Sequence, residues 1–345
     1  MVAFALLGSS SAARAAKDLP SEAERLAMMQ RAASVWKVEV QRAQGGYSLG
    51  TGVAVAADQV VTNCHVTRDA RAVHLLRGGQ RWPVDGQAVD AEHDLCLLRV
   101  PNLKASMVGL GRSSDLLPGQ EVLALGYSAG LELQYSDGQV IAMHRHGGSS
   151  VIQSSNAFTS GASGGALLDN QLNLVGILTF RLRGGAQHYY SNPVEWVQAL
   201  RDHGPGFEPV RPIAAERLAY WQQREPTAQP QFLRAAVLER ERRWSELEAL
   251  ALDWSGRDAD DPEPWYLRGL ALEGLQRWPE SQRALERSLA LQPRSQLTQL
   301  RLGLVHAEQG QLAPARELRG QLEGVNAEFA EQLERAIAGP AAGKP

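Results

Sequence analysis

The hydrophobic period of the chain changes once, near residue 204, and this switch constrains the fold more than any other feature. From about residue 34 to 203, apolar residues come in short runs separated by Gly, Asp and Asn: VWKVEV, GVAVAA, VVTNCHV, AVHLL, DLCLLRV, EVLALGY, GQVIAM, SVIQ, ALLD and LNLVGILTF. Short runs divided by turn residues predict an all-β sandwich or barrel. The Gly-Gly pairs at 45–46, 78–79, 147–148 and 184–185 suit tight turns or close backbone approach. No long helical crossover interrupts the series, which argues against a doubly wound sheet. The stretch GPGFEPVRP (204–212) reads as a linker, and beyond it apolar residues return at helical spacing over 213–339.

A length of 345 residues allows two domains with separate cores. A formal charge of −3, with no long basic run, gives no reason to expect nucleic acid as a partner. At the start, VAFALL (2–7) followed by GSSSAARAA reads as the tail of a secretory leader over 1–16, cut after Ala15 or Ala16, although the usual basic segment is missing. Six apolar residues fall far short of the roughly 20 that cross a bilayer. The chain is therefore expected in the periplasm or secreted, with no stable membrane span. SEAERLAMMQRAA (21–33) predicts a short helix, with Ser21 as cap and Glu24 in the reciprocal position.

The helical half repeats itself. Aligning 228–261, 262–295 and 296–329 gives blocks of 34 residues. Trp244, Trp278 and Leu312 then coincide, as do Ala235, Gly269 and Gly303, while Leu238, Leu272 and His306 share a third position. The middle block, with Trp265, Gly269, Leu272, Leu285 and closing Pro293, resembles the tetratricopeptide repeat. The resemblance implies paired helices, with small residues at 269 and 303 letting one helix approach the next. Trp278 and Leu312 would open the second helix of their pairs, and 328–338 would form a capping helix. Such a surface is suited to a protein or peptide partner. His306 is expected to pack, and the ERERR run (239–243) to be a solvated face.

Three segments of the β-rich half carry reactive side chains: VVTNCHV (60–66), HDLCLLRV (93–100) and TSGASGGALLD (159–169). Their order, His65, Asp94, Ser163, resembles the chymotrypsin-like serine peptidases, closest to HtrA-like bacterial members. GTGVAV before the His, IQSSNAF before the Ser and VGILTF after it fit the same family over 34–203. The resemblance implies two six-stranded barrels and a polypeptide substrate, with neither metal nor organic cofactor. It makes His65 the base, Asp94 its orienting carboxylate and Ser163 the nucleophile. Asp85 and Asp90 compete for the carboxylate role but lie in a turn-like segment, and Ser160 lacks the glycines that surround Ser163.

Further roles come from the same resemblance. The N–H groups of Gly161 and Ser163 would form the oxyanion hole. Ala157 would sit at the base of the primary substrate pocket, with Phe158 narrowing it or packing in the core. Thr179, Phe180 and Arg181 would run along its wall. With no acid at the base, small or medium apolar residues are expected before the scissile bond. Ala162 departs from the family, whose members have Asp or Asn there, and leaves open how the oxyanion hole is held. Cys64 and Cys96 would lie behind the triad, either as a disulfide or as two buried thiols. Together with His65 and His93 they also imitate a zinc set, a weaker reading because His65 has the better-suited role as base. The competing functional expectation is a catalytically silent peptidase fold that recruits partners through its repeats; esterase activity would need the same site.

Overall fold

A computed structural model describes residues 31–130, 132–182 and 189–339, without the side chain of Pro226. The leader at 1–16, nearly all of the helix expected at 21–33 and the glycine pair at 184–185 lie outside the described residues.

Among the described residues, thirteen strands account for the short apolar runs. The first seven are β1 (Val35–Arg42), β2 (Tyr47–Ala56), β3 (Gln59–Thr62), β4 (Ala70–Arg77), β5 (Gln80–Pro83), β6 (Gly86–Asp90) and β7 (Leu95–Arg99), with one helical turn, α1 (Cys64–Thr67), after β3. They form one antiparallel sheet in the order β5-β4-β1-β2-β3-β7-β6. The other six are β8 (Glu121–Gly126), β9 (Gln134–His146), β10 (Ser149–Ser154), β11 (Ala166–Leu168), β12 (Leu174–Arg181) and β13 (Tyr189–Pro193), which close into a barrel. The expectation of two six-stranded barrels is corrected in its first member, a seven-stranded sheet whose end strands do not pair with each other. The ends explain this. β5 is short and mostly exposed and finishes in Pro83, which has no N–H to extend a ladder. The other edge, β6, is occupied at Gln87 by Glu208, whose backbone exchanges two hydrogen bonds with it (2.8 and 3.0 Å).

Alternation along β1 buries Val38 and Val40 with Trp36, Val60, Val73, Leu75 and Leu98 in the core of the first sheet. A second cluster, including Val140, Ile152, Leu167 and Leu178, fills the barrel. A third lies between the two and runs on into the helices, from Leu95 and Leu125 through Ile177, Tyr190 and Trp196 to Phe232 and Leu247. After β13 the chain enters α2 (Val194–His203) through Pro193, whose fixed φ of −66° suits a helix entrance.

The stretch from 204 to 230 is a strap laid on the β-rich half. Ile213 donates to Arg68 O (2.8 Å), Tyr220 to Glu92 O (3.0 Å), and Arg68 reaches back to Arg217 O (2.7 Å). The helices begin at Gln231 and not at residue 213: α3 (Gln231–Arg240), α4 (Trp244–Arg257), α5 (Pro262–Gly274), α6 (Trp278–Leu291), α7 (Gln296–Glu308), α8 (Leu312–Glu323) and α9 (Ala327–Ala338). The starts of α4, α6 and α8 are 34 residues apart. Each start follows, by two residues, a position with left-handed backbone: Arg242 (φ 54°), Gln276 (φ 59°) and Gly310 (φ 70°).

A side chain at Gly269 in α5 would come within 2.5 Å of Leu285 in α6, the helix paired with it. At Gly303 the near neighbour is Leu333 of α9 instead (2.4 Å). His306 is buried, its Nδ1 at 2.6 Å from Gln311 Oε1. Within ERERR, Arg240, Glu241, Arg242 and Arg243 are exposed. Glu239 instead lines a cavity of about 590 Å³ between the barrel and the helices, and burial pushes its carboxyl up despite the charge of Arg301.

Candidate active site

His65 and Asp94 meet where the first sheet faces the barrel. β3 ends at Thr62, and buried Asn63 turns the chain into α1 while its amide donates to Asp94 O (3.0 Å) and Thr179 Oγ1 (3.2 Å). Asp94 stands just before β7 with φ of 56°, an uncommon backbone state for a residue with a side chain. Its carboxylate is almost fully buried and so needs hydrogen-bond donors. Oδ1 accepts the His65 backbone N–H (2.8 Å), and Oδ2 faces His65 Nδ1 (2.6 Å). A third donor, the indole Nε1 of Trp221, reaches Oδ2 at 3.1 Å.

Cys64 and Cys96 form a disulfide linking α1 to β7, so the residues beside His65 and Asp94 are covalently joined. As a disulfide they offer no thiolates to zinc. The competing carboxylates are engaged elsewhere. Asp90 is paired with His93 (2.7 Å) and Asp85 with Arg99 (2.7 Å). Burial works against the charge of His93, but Asp90 outweighs it and raises the imidazole above its ordinary value.

Ser163 occupies a tight turn between β10 and β11. Its Oγ donates to Thr179 O at 3.3 Å, and the hydrogen bonds among the described residues include none between it and His65. The shape of the turn is set largely by Thr51 of β2. Its Oγ1 donates to Gly161 O (2.7 Å) and accepts Tyr127 N–H (2.9 Å), while its N–H donates to Ser163 O (2.9 Å). Thr62 Oγ1 in turn holds Thr51 O (2.6 Å). Gly164 is required by this closeness: with φ of 86°, any side chain there would lie 2.1 Å from Thr51 O. Ala162 is buried against Gly126 at the end of β8, where an added side chain would come within 2.9 Å of the Ala162 methyl. Packing thus stands where the family resemblance leads one to expect a polar group. Among the described residues, the N–H groups of Gly161 and Ser163 donate to no protein acceptor.

The expected specificity residues separate. Ala157 is exposed, and Phe158 is buried against Tyr189 with ring centroids 5.1 Å apart. Both line a cavity of about 30 Å³ with Ala162 and Leu178, and no charged residue lines it. Phe158 therefore belongs to the core as well as to the cavity wall. Thr179 turns its side chain inward to Asn63 and Asn192 and leaves its carbonyl toward Ser163. Phe180 is sandwiched between Tyr190 (4.7 Å, 7°) and Trp221 (4.9 Å, 10°), and Arg181 is exposed.

Sequence reasoning missed Thr51, Asn63 and Trp221. The first two sit inside quoted motifs, GTGVAV and VVTNCHV, where their neighbours drew the attention. Trp221 lies in a stretch with neither strand nor repeat pattern, and its one signal was an aromatic pair, Tyr220-Trp221, outside any expected core.

Residues 50–177 match the family described as a trypsin-like peptidase domain. A chloroplast protease of Arabidopsis thaliana, Protease Do-like 1, is 33% identical over 176 residues, 46% of this chain and 40% of that protein. A probable periplasmic serine endoprotease, DegP-like, of Chlamydia pneumoniae is 30% identical over 142 residues, 39% of this chain and 29% of that protein. Among solved structures, an HtrA-type protease, AlgW with tripeptide, matches at 30% identity and a TM-score of 0.47, covering 53% of this chain and 64% of that one. The matched part spans less than half the length of these curated relatives. Over residues 50–177 the chain is thus similar to trypsin-like peptidase domains, and these curated relatives are named as proteases.

Proposed function

We propose that this peptidase domain is a serine endopeptidase acting through His65, Asp94 and Ser163. Ser163 Oγ attacks the scissile carbonyl carbon as its proton passes to His65 Nε2, with Asp94 holding the imidazolium that forms. The oxyanion is received by the N–H groups of Gly161 and Ser163. The C–N bond breaks as Nε2 returns the proton to the leaving amine, and an acyl ester remains on Ser163. Water, deprotonated by the same nitrogen, releases the acid. The observation carrying this reading is the 2.6 Å contact of His65 Nδ1 with the buried Asp94 carboxylate, which leaves Nε2 as the free nitrogen.

The lack of any charged residue in the lining of the cavity beside Ala157 and Phe158 supports the expected preference for small or medium apolar residues before the scissile bond. Regular spacing of α4, α6 and α8 supports reading the helical half as tetratricopeptide-like pairs that hold a protein or peptide partner. The disulfide and the periplasmic relative favour a periplasmic or secreted location.

A fluorophosphonate probe tests the reading. It is expected to label Ser163, and Ser163→Ala to abolish both labelling and peptide turnover while the melting temperature stays put. Turnover by the variant equal to that of the parent would remove the assignment. The bond from Ser163 Oγ to Thr179 O favours one second reading, a silent fold that only binds. A folded parent that takes up no probe would establish it.

A further inference from the structure

We propose that Trp221, carried by the strap C-terminal to the peptidase domain, is a positioning residue for the catalytic His65–Asp94 pair. This rests on the peptidase reading above and adds to the site a residue outside the matched domain. Among the described residues three donors reach the Asp94 carboxylate, and of these only the indole of Trp221 comes from beyond residue 204. It donates to Oδ2, the oxygen that also faces His65 Nδ1. Among the described residues of the β-rich half, no side chain other than His65 is hydrogen-bonded to Oδ2. The nearest hydroxyl on β12, Thr179 Oγ1, is engaged with Ile177 O, Asn63 and Asn192 N–H.

The ring acts as well as the N–H. Trp221 meets the His65 imidazole edge-on, with centroids 5.6 Å apart at 87°, and stacks flat on Phe180. Phe180 fixes the indole plane, and the indole then limits how the imidazole can tilt away from Asp94. An exposed loop could not hold this arrangement, but the strap is fastened at Ile213 and again at Tyr220, directly before Trp221. Ile213 packs with Cys64 and Cys96, and Tyr220 is buried, with its hydroxyl donating to Asn192 Oδ1 (2.8 Å) and its N–H to Glu92 O. Asn192 closes the circuit by donating to His93 O, one residue before Asp94. The strap therefore continues directly into the catalytic pair, and helix α3 begins ten residues after Trp221 in a Pro230-led entrance.

The test is Trp221→Phe, which keeps an aromatic ring on Phe180 and beside His65 and removes the N–H. With a peptide substrate, kcat is expected to fall about tenfold while KM stays within about twofold, because the lost bond serves orientation and not substrate binding. Trp221→Ala falls further. Independently of turnover, the Trp221 indole proton in the parent is expected downfield of the other tryptophans by NMR, and Asp94→Asn is expected to move it upfield. An unchanged kcat in Trp221→Phe, or an indole proton indifferent to Asp94→Asn, overturns the proposal. Absence of probe on Ser163 in the parent removes the peptidase reading instead. In that case the indole proton alone decides whether Trp221 bonds the carboxylate.

Discussion

All three polar groups of Thr51 are engaged by the turn that carries Ser163 or by the strand beside it. That gives Ala162 a physical explanation. Where a side chain at this position would otherwise hydrogen bond to the turn, the hydroxyl of Thr51 pins Gly161 from the neighbouring sheet and Ala162 fills the space against Gly126. Thr51→Val removes the hydroxyl at constant shape. It is expected to lower kcat/KM about 10- to 100-fold, part of the loss that follows when an oxyanion donor goes out of place. Thr51→Ser restores most of it. Steady-state kinetics on one peptide checks both, and a Val variant as active as the parent would show that the turn holds itself. At this scale the candidate triad was legible because its residue types and chain order are unusual together. Trp221 and Thr51 were not, because a tryptophan or a threonine acquires meaning only from the atom it faces.

At the scale of elements, patterns that depend on local chemistry could be read and those that depend on edges could not. Alternation in VWKVEV and the turn pairs sufficed to place strands. Closure of a sheet depends on whether two remote end strands meet, and Pro83 at one end and Glu208 at the other keep them apart. GPGFEPVRP reads as a linker because Gly and Pro break structure, yet its backbone completes the ladder at β6. The repeat shows the opposite case. Its period was visible in Trp244, Trp278 and Leu312, but its turn was not, because the left-handed position holds Arg242, Gln276 and Gly310 in succession. Only the third suits that backbone. Gln276 is exposed and in φ of 59°, so Gln276→Gly relieves strain that exceeds the added freedom of the unfolded chain. The expected gain is about 0.5–1 kcal/mol, read as a higher midpoint in urea. A lower midpoint would mean that the turn is not strained.

Across the whole molecule, the barrel and the helices are joined by a buried histidine. His144 of β9 stacks on Phe232 of α3 (4.5 Å, 12°), with Nδ1 at 2.7 Å from Glu263 Oε1 in α5 and Nε2 at 2.9 Å from Gln153 Oε1. Both ring nitrogens face oxygens, so the doubly protonated ring satisfies both. Burial disfavours its charge, but Glu263, Gln153 and Asp261 together outweigh that and raise it above the ordinary value of 6.5. Tyr190 and Phe232 pack on the ring without charge near neutrality, while the cavity it lines also holds Glu239 and the cations Arg145 and Arg301. A raised folded-state value means that this stabilisation is full below 6.5 and is lost as pH rises through the folded value. Asp261 adds in the same direction. Burial and the charge of Glu263 raise it from 3.8 to about 6, so its ionisation in the folded protein is disfavoured and stability falls as pH climbs across that interval. The helices should therefore hold the barrel more firmly near pH 6 than near pH 8.5, and hydrogen exchange corrected for intrinsic rates measures it. Protection over 141–146 and 261–268 is expected to drop at the higher pH, and His144→Gln to remove the part of that drop above pH 6.5. Equal protection at the two values would mean that the histidine is neutral in the fold and the halves are joined by packing alone.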